Sequence, residues 1–142
     1  MKKTLLKIML AYVMVFSIHL FASDSMVHKV VIQVSTDDVK TQKIALNNAS
    51  NLQKLYGIDN IQVEIVAYGP GLSILTKNSP HAKRVESMAM GDISFRACGN
   101  TMKKITKKTG KNPLLSDGVT VVSSGVGKIV ELQEHGYVYI RP

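Results

Sequence analysis

The run Ile61-Gln62-Val63-Glu64-Ile65-Val66-Ala67-Tyr68-Gly69-Pro70-Gly71 decides the fold. Its first eight residues are mainly β-branched and apolar, as in a buried strand. The Gly-Pro-Gly that follows cannot continue a ladder. Upstream, Ile44, Ala45, Ala49, Leu52 and Leu55 recur at helical spacing between Val39 and Tyr56, and Gly57 supplies a C-cap. Before that helix, Lys29 to Val34 is another β-branched run, ended by Ser35-Thr36-Asp37-Asp38. Downstream, Leu72 to Lys77 and Ala82 to Met90 read as two helical pieces split near Ser79-Pro80. A third strand follows at Ile93 to Ala97 and a short helix at Thr101 to Lys108. The chain ends with a strand at Val119 to Val122, a helix at Val126 to Glu134 and a last strand at Tyr137 to Ile140. Five short strands separated by helices imply right-handed βαβ crossovers. The expectation is one α/β domain over 26–142, a three-layer α/β/α sandwich whose mostly parallel five-stranded sheet is covered on both faces.

The segment before this domain reads differently. Lys2, Lys3 and Lys7 make a basic start, Ile8 to Phe21 is uncharged and mostly apolar, and Ala22-Ser23 follows. A basic region, an apolar stretch and a small residue at the end describe a secretory signal peptide, here 1–22 with cleavage after Ala22. As a helix the apolar stretch is about 21 Å long, short of a ~30 Å hydrocarbon core, which argues against an uncleaved anchor. No Cys lies near the cleavage point, so no lipid attachment is expected. The mature chain is therefore expected in the periplasm, with no stable membrane insertion.

Charge and cysteine count narrow the function classes. The 142 residues carry 18 Lys+Arg and 10 Asp+Glu, a net charge of +8. Three of those charges belong to the signal peptide. Five more are Lys103, Lys104, Lys107, Lys108 and Lys111, with no acid among them, and what remains is balanced. Basicity is thus local, which argues against nucleic acid as a partner and allows attraction of an anionic substrate or acidic partner. A single Cys excludes an internal disulfide framework and a four-Cys metal site. His28, His81 and His135 lack a second His or Cys at ligand spacing, and Asp37-Asp38 is explained as a helix N-cap, so no metal is expected. No cofactor is expected either, since Gly125-x-Gly127 lacks the third glycine of a dinucleotide fingerprint.

In a parallel sheet every strand's C-terminal end lies on one edge, and ligands bind in the crevice outside it. At those ends stand Ser35-Thr36-Asp37, Tyr68-Gly69-Pro70-Gly71, Cys98-Gly99-Asn100-Thr101 and Ser123-Ser124-Gly125. The only Cys of the chain falls here. A free thiol is only about 3% thiolate at neutral pH. Cys98 immediately before a helix would sit near its positive end, with Lys103 and Lys104 on that helix. Arg96, two residues earlier, leaves the strand on the same face. These neighbours are expected to favour the thiolate, with Gly99, Asn100, Thr101 and Ser123 around it and Gly69 and Gly71 giving access. A buried Cys acting as a small hydrophobe is the other reading of the same position.

Four stretches carry a family resemblance: Ala45 to Leu52, Ile61 to Gly71, Phe95-Arg96-Ala97-Cys98-Gly99-Asn100-Thr101, and Tyr137-Val138-Tyr139-Ile140-Arg141-Pro142. In order and spacing they resemble the DsrE/DsrF-like family, in particular its small single-domain members. The resemblance implies a five-stranded α/β/α sandwich that assembles into trimers or hexamers. It also implies sulfur transfer, with the Cys after the third strand, here Cys98, carrying a persulfide for exchange with a partner thiol. Tyr68 departs from the His or Asn expected at its position, and the signal peptide departs from cytoplasmic relays. Two functions follow as expectations: a persulfide carrier built on Cys98, and a non-catalytic oligomeric module holding a small anion or a partner in the same crevice.

Overall fold

The computed structural model describes residues 27–142; the expected signal peptide lies outside them. Strands β1 (His28–Val34), β2 (Ile61–Ala67), β3 (Ile93–Cys98), β4 (Val119–Val122) and β5 (Val138–Ile140) pair in the order β4-β3-β2-β1-β5, every pair parallel. The helices are α1 (Val39–Tyr56), α2 (Ala82–Met90), α3 (Gly99–Thr109) and α4 (Gly125–Glu134). Two 3-10 segments, Ile58–Asn60 and Gly69–Leu75, complete the chain. The expected α/β/α class and all five strands are present. Among the described residues no helix is long and apolar enough to cross a membrane.

The strand order dictates where the helices go. From β1 to β4 the chain moves one strand at a time in one direction, so right-handed crossovers place all three connections on the same face. There Val30, Ile32, Val34, Val63, Ile65 and Phe95 meet Ala45, Leu46, Leu72, Ile74, Val85 and Met102 in the main core. The connection from β4 must cross back over β3, β2 and β1 to reach β5. The same handedness therefore puts α4 on the opposite face. Only Ile129 and Leu132 of α4, with Tyr68 and Tyr137, cover Val31 and Val66 there. Coverage is thus unequal, and part of the second face is polar. Arg96 pairs in register with Val66 on one side and Thr120 on the other, and Glu64 with Ser94.

Local chemistry explains the ends. Asp38 caps α1, its carboxylate accepting from the Thr41 N–H and hydroxyl, each at 2.7 Å, as expected for that acidic pair. Those hydrogen bonds hold the Asp38 carboxyl below its ordinary range. The expected helix over Leu72 to Lys77 is instead the 3-10 segment Gly69–Leu75, with a proline in its first turn. A run this short is held by what it packs on. Leu72, Ile74 and Leu75 are buried, and Gly71 lies so close to β1 that a Cβ would strike the Val34 carbonyl oxygen.

Candidate functional site

Binding crevices in open parallel sheets form where two adjacent strands send their following helices to opposite faces. Here those strands are β3 and β4, for α3 lies on the main-core face and α4 on the other. Cys98, the last residue of β3, pairs with Val122, the last of β4. The helix following each strand starts almost at once, with Cys98 as N-cap of α3 and Ser124 as N-cap of α4. The sole thiol therefore stands between two helix N-termini, the partly positive ends of their dipoles.

Gly125 makes the approach possible. A Cβ on it would lie 3.0 Å from Tyr68 Cβ and 3.2 Å from Cys98 Cβ, tighter than an ordinary side-chain contact. Gly99 is similarly confined: a Cβ there would lie 3.0 Å from the Val122 carbonyl oxygen. These contacts leave Cys98 only 5% exposed. Burial by itself pushes the thiol upward in pKa, because the thiolate is lost from water. Hydrogen bonding outweighs it: the Thr101 hydroxyl contributes most, then the N–H groups of Gly125, Thr101 and Asn100, and the thiol ends below its ordinary value. None of these is a cap bond of regular geometry. The Asn100 N–H is shared, donating also to the Ser123 carbonyl at 3.2 Å.

Thr101 is itself held in place. Its Oγ1 accepts from the Gly69 N–H at 2.9 Å, which leaves its own proton free for the sulfur. Gly69 has φ +54°, a left-handed backbone that glycine adopts without strain. The loops after β2, β3 and β4 are thus joined through one hydroxyl and one sulfur.

Not every expected residue takes the role expected of it. Gly99, Asn100 and Thr101 follow Cys98 in the first turn of α3, Gly69 reaches the Thr101 hydroxyl, and the Ser123 carbonyl accepts from the Asn100 N–H. Gly71 is a close-packing residue against β1 and gives no access to the thiol. Arg96 is directed away: its Nε donates to Glu64 Oε2 at 2.7 Å and its Nη1 to the Thr120 hydroxyl. Neither it nor Lys103 or Lys104 is among the main causes of the Cys98 shift. The reason is geometric. Glu64 is diagonal to Arg96 across β2 and β3, within reach of a long side chain, and its carboxylate is the stronger partner. That ion pair was missed in the sequence, although a lone acid in the apolar run Ile61 to Tyr68 signals it. Ser124 and Gly125 belonged to the expected edge, but only the strand order shows that they face Cys98.

His81 Nε2 contacts the Val39 carbonyl at 3.2 Å, and His135 Nδ1 the Glu131 carbonyl at 2.7 Å. His28 lies against the Tyr56 ring, centroids 3.9 Å apart. Among the described residues no group of three His, Cys, Asp or Glu side chains is placed to hold a metal ion.

Known proteins share this fold. The model of the DsrE/DsrF-like family matches residues 28–142. Among solved structures, the chain is similar to MTH1491 from Methanobacterium thermoautotrophicum, a protein of unknown function. Identity is 34% and the TM-score 0.72, covering 81% of this chain and 99% of that one. No curated protein matches. With the match running from β1 through the Cys98 loop to the last residue, the chain belongs to the DsrE/DsrF-like family.

Proposed function

We propose that the protein is a sulfane-sulfur carrier in which the Cys98 thiolate accepts a sulfur atom and holds it as a persulfide. The observation that carries this reading is the placement of the only thiol of the chain between the N-termini of α3 and α4, with Gly125 packed against it and the surrounding groups lowering its pKa. Membership of a family of sulfur-relay type supports it. The thiolate attacks the outer sulfur of a donor persulfide, R–S–SH, so that the new S–S bond forms as the old one breaks. Cys98–S–SH and the thiolate R–S⁻ result. With thiosulfate as donor the leaving group is sulfite, and Cys98–S–S⁻ is formed. A partner thiolate then removes the outer sulfur and restores the Cys98 thiolate. The donors around Sγ favour the anionic forms at both ends of this exchange. A lone thiol suits a carrier, because no second Cys in the chain can expel the sulfur by forming a disulfide.

The same reading places the mature chain in the periplasm as a trimer or hexamer. Export rests on the basic and apolar segment 1–22. Assembly is supported by exposed apolar side chains such as Val126 and Val130 on α4, about half accessible in the single chain.

The 5% exposure of Cys98 favours a second reading, a non-catalytic oligomeric module in which the thiol is structural and the crevice holds a small anion or a partner. One experiment separates the two. Wild type and Cys98→Ser are incubated with thiosulfate or a small-molecule persulfide, and protein-bound sulfane sulfur is tagged. Labelling confined to the wild type supports the carrier. Equal labelling of both, or a native thiol inert to alkylation at neutral pH, refutes it.

A further inference from the structure

We propose that the groove between the 3-10 segment Gly69–Leu75 and α3 is a binding site for a small amphipathic carboxylate, one apolar chain ending in a single anionic group. The groove has a volume of about 730 Å³, within the range of small-molecule sites. Leu72, Ile105 and Leu114 give it an apolar wall, and Lys104, Lys108 and Lys111 stand along its side.

Three observations converge on that ligand chemistry. Lys104 and Lys108 stand four residues apart on α3, where like charges repel, Lys111 follows just past the left-handed Gly110 cap, and no acid lines the groove. Among the described residues none of the three is in an ion pair, so an anion would be their first counter-charge. Leu114 is 74% exposed although it lines a concave surface, and an apolar chain laid along it would remove that area from water. The wall carrying Leu114 is also fixed in advance. The Lys77 N–H donates to the Leu114 carbonyl at 2.9 Å and the Ser116 N–H to the Leu75 carbonyl at 2.8 Å, tying the 112–116 loop to the 3-10 segment. Thr106 and Thr109 brace the other side through Asn112 and the Lys111 carbonyl.

The mostly carbon lining disfavours a polyphosphate, which would strand the apolar wall against charged oxygens. A concave groove likewise suits an enclosed chain better than a flat membrane surface. The site is separate from the thiol. It reaches Gly69 and Thr101 from one side, whereas Cys98 lies beyond Thr101 and does not line it.

The test is titration of the chain with decanoate and, in parallel, with uncharged decanol, followed by calorimetry and by chemical shifts of α3 and the 112–116 loop. Saturable one-to-one binding of decanoate is expected, with decanol weaker by roughly tenfold. The exposed triple variant Lys104→Gln/Lys108→Gln/Lys111→Gln should lose roughly tenfold in decanoate affinity and leave decanol unchanged. Leu114→Ser should weaken both, and Cys98→Ser neither, so the result stands apart from any outcome at the thiol. Rising salt should weaken decanoate alone, a readout that needs no variant. The proposal is overturned by absence of saturable decanoate binding, or by equal affinity in the triple-lysine variant. It is also overturned if lysine-dependent binding appears only with anionic phosphatidylglycerol vesicles or with an acidic peptide.

Discussion

Replacing Arg96 by Met separates two roles that one residue position suggests. In the sequence, a cation two residues before the only Cys reads as its activator. In the fold, that cation belongs to Glu64. The pair is joined at 2.7 Å, with side chains 25% and 11% exposed, and Arg96 also bonds Thr120 on β4. Breaking a fully buried pair from one side costs about 3–5 kcal/mol, and a surface pair about 0–1 kcal/mol. With Glu64 nearly enclosed and Arg96 a quarter exposed, Arg96→Met should cost about 2–3 kcal/mol in urea unfolding. For a domain of this size that is a fall in Tm of roughly 10 °C. Most of the loss reflects a carboxylate left without its cation, so Glu64→Gln/Arg96→Met should recover about 1–2 kcal/mol of it. The pH dependence of Cys98 alkylation should be the same in Arg96→Met as in the wild type. A loss below about 1 kcal/mol, or a double variant no better than the single, would show the ion pair to be incidental. An upward shift of the alkylation profile in Arg96→Met would return Arg96 to the thiol site and refute the geometry argued above.

Four further outcomes are expected. Thr101→Val removes the strongest donor to the thiol and orphans the Gly69 N–H; the alkylation profile of Cys98 should move to higher pH, while Thr101→Ser keeps the wild-type profile. Because the folded chain holds the Cys98 thiol below its ordinary 9.0, folding favours the thiolate. That stabilisation is lost as pH falls through the folded-state pKa and is complete above the unfolded one. The urea midpoint of the wild type should therefore gain on that of Cys98→Ser as pH rises from neutral toward the ordinary thiol pKa. In Gly71→Ala the new Cβ would strike the Val34 carbonyl and come within 2.8 Å of Ser35 Cα, backbone that cannot step aside; a loss of about 3 kcal/mol or insoluble expression is expected. Leu132→Ala on α4, 4% exposed, should cost about 2–3 kcal/mol and accelerate native-state alkylation of Cys98 by loosening the helix whose first residue covers it.

The main-core face was legible because its signals are local. The β-branched runs at Lys29 to Val34 and Ile61 to Tyr68 need both faces at least partly covered, and the apolar spacing of α1 needs one. Their agreement identifies a parallel sheet before any contact is known. The 3-10 segment was misread as a helix because six apolar and polar residues after a Gly-Pro-Gly fit either period. What decides it is the close approach of Gly71 to β1, a tertiary contact with no local trace. The unequal coverage of the two faces left no local trace for a related reason. Composition counts helices, but only the order β4-β3-β2-β1-β5 assigns three connections to one face and one to the other.

The same distinction governs the site. Sequence neighbours of Cys98 were credited with tuning it: Arg96 by strand alternation, Lys103 and Lys104 by proximity along α3. The groups that do so come mainly from elsewhere or act through elsewhere: Gly125 from the next crossover, and a Thr101 hydroxyl freed to donate by Gly69 from the crossover before. A cation beside a thiol is readily diverted by any better carboxylate, as Glu64 diverts Arg96. Backbone N–H groups at two helix starts stay in position as long as the helices hold their places. Thiolate stabilisation at this position is therefore a property of how β3 and β4 part, and it persists only as long as α4 stays packed over Val31 and Val66. The contact that buries Cys98 is also the one that brings the Gly125 N–H to it. On the proposed carrier reading, any opening that admitted a sulfur donor by displacing α4 would weaken the thiolate as it was exposed, leaving Thr101 and the α3 N-terminus to hold the charge.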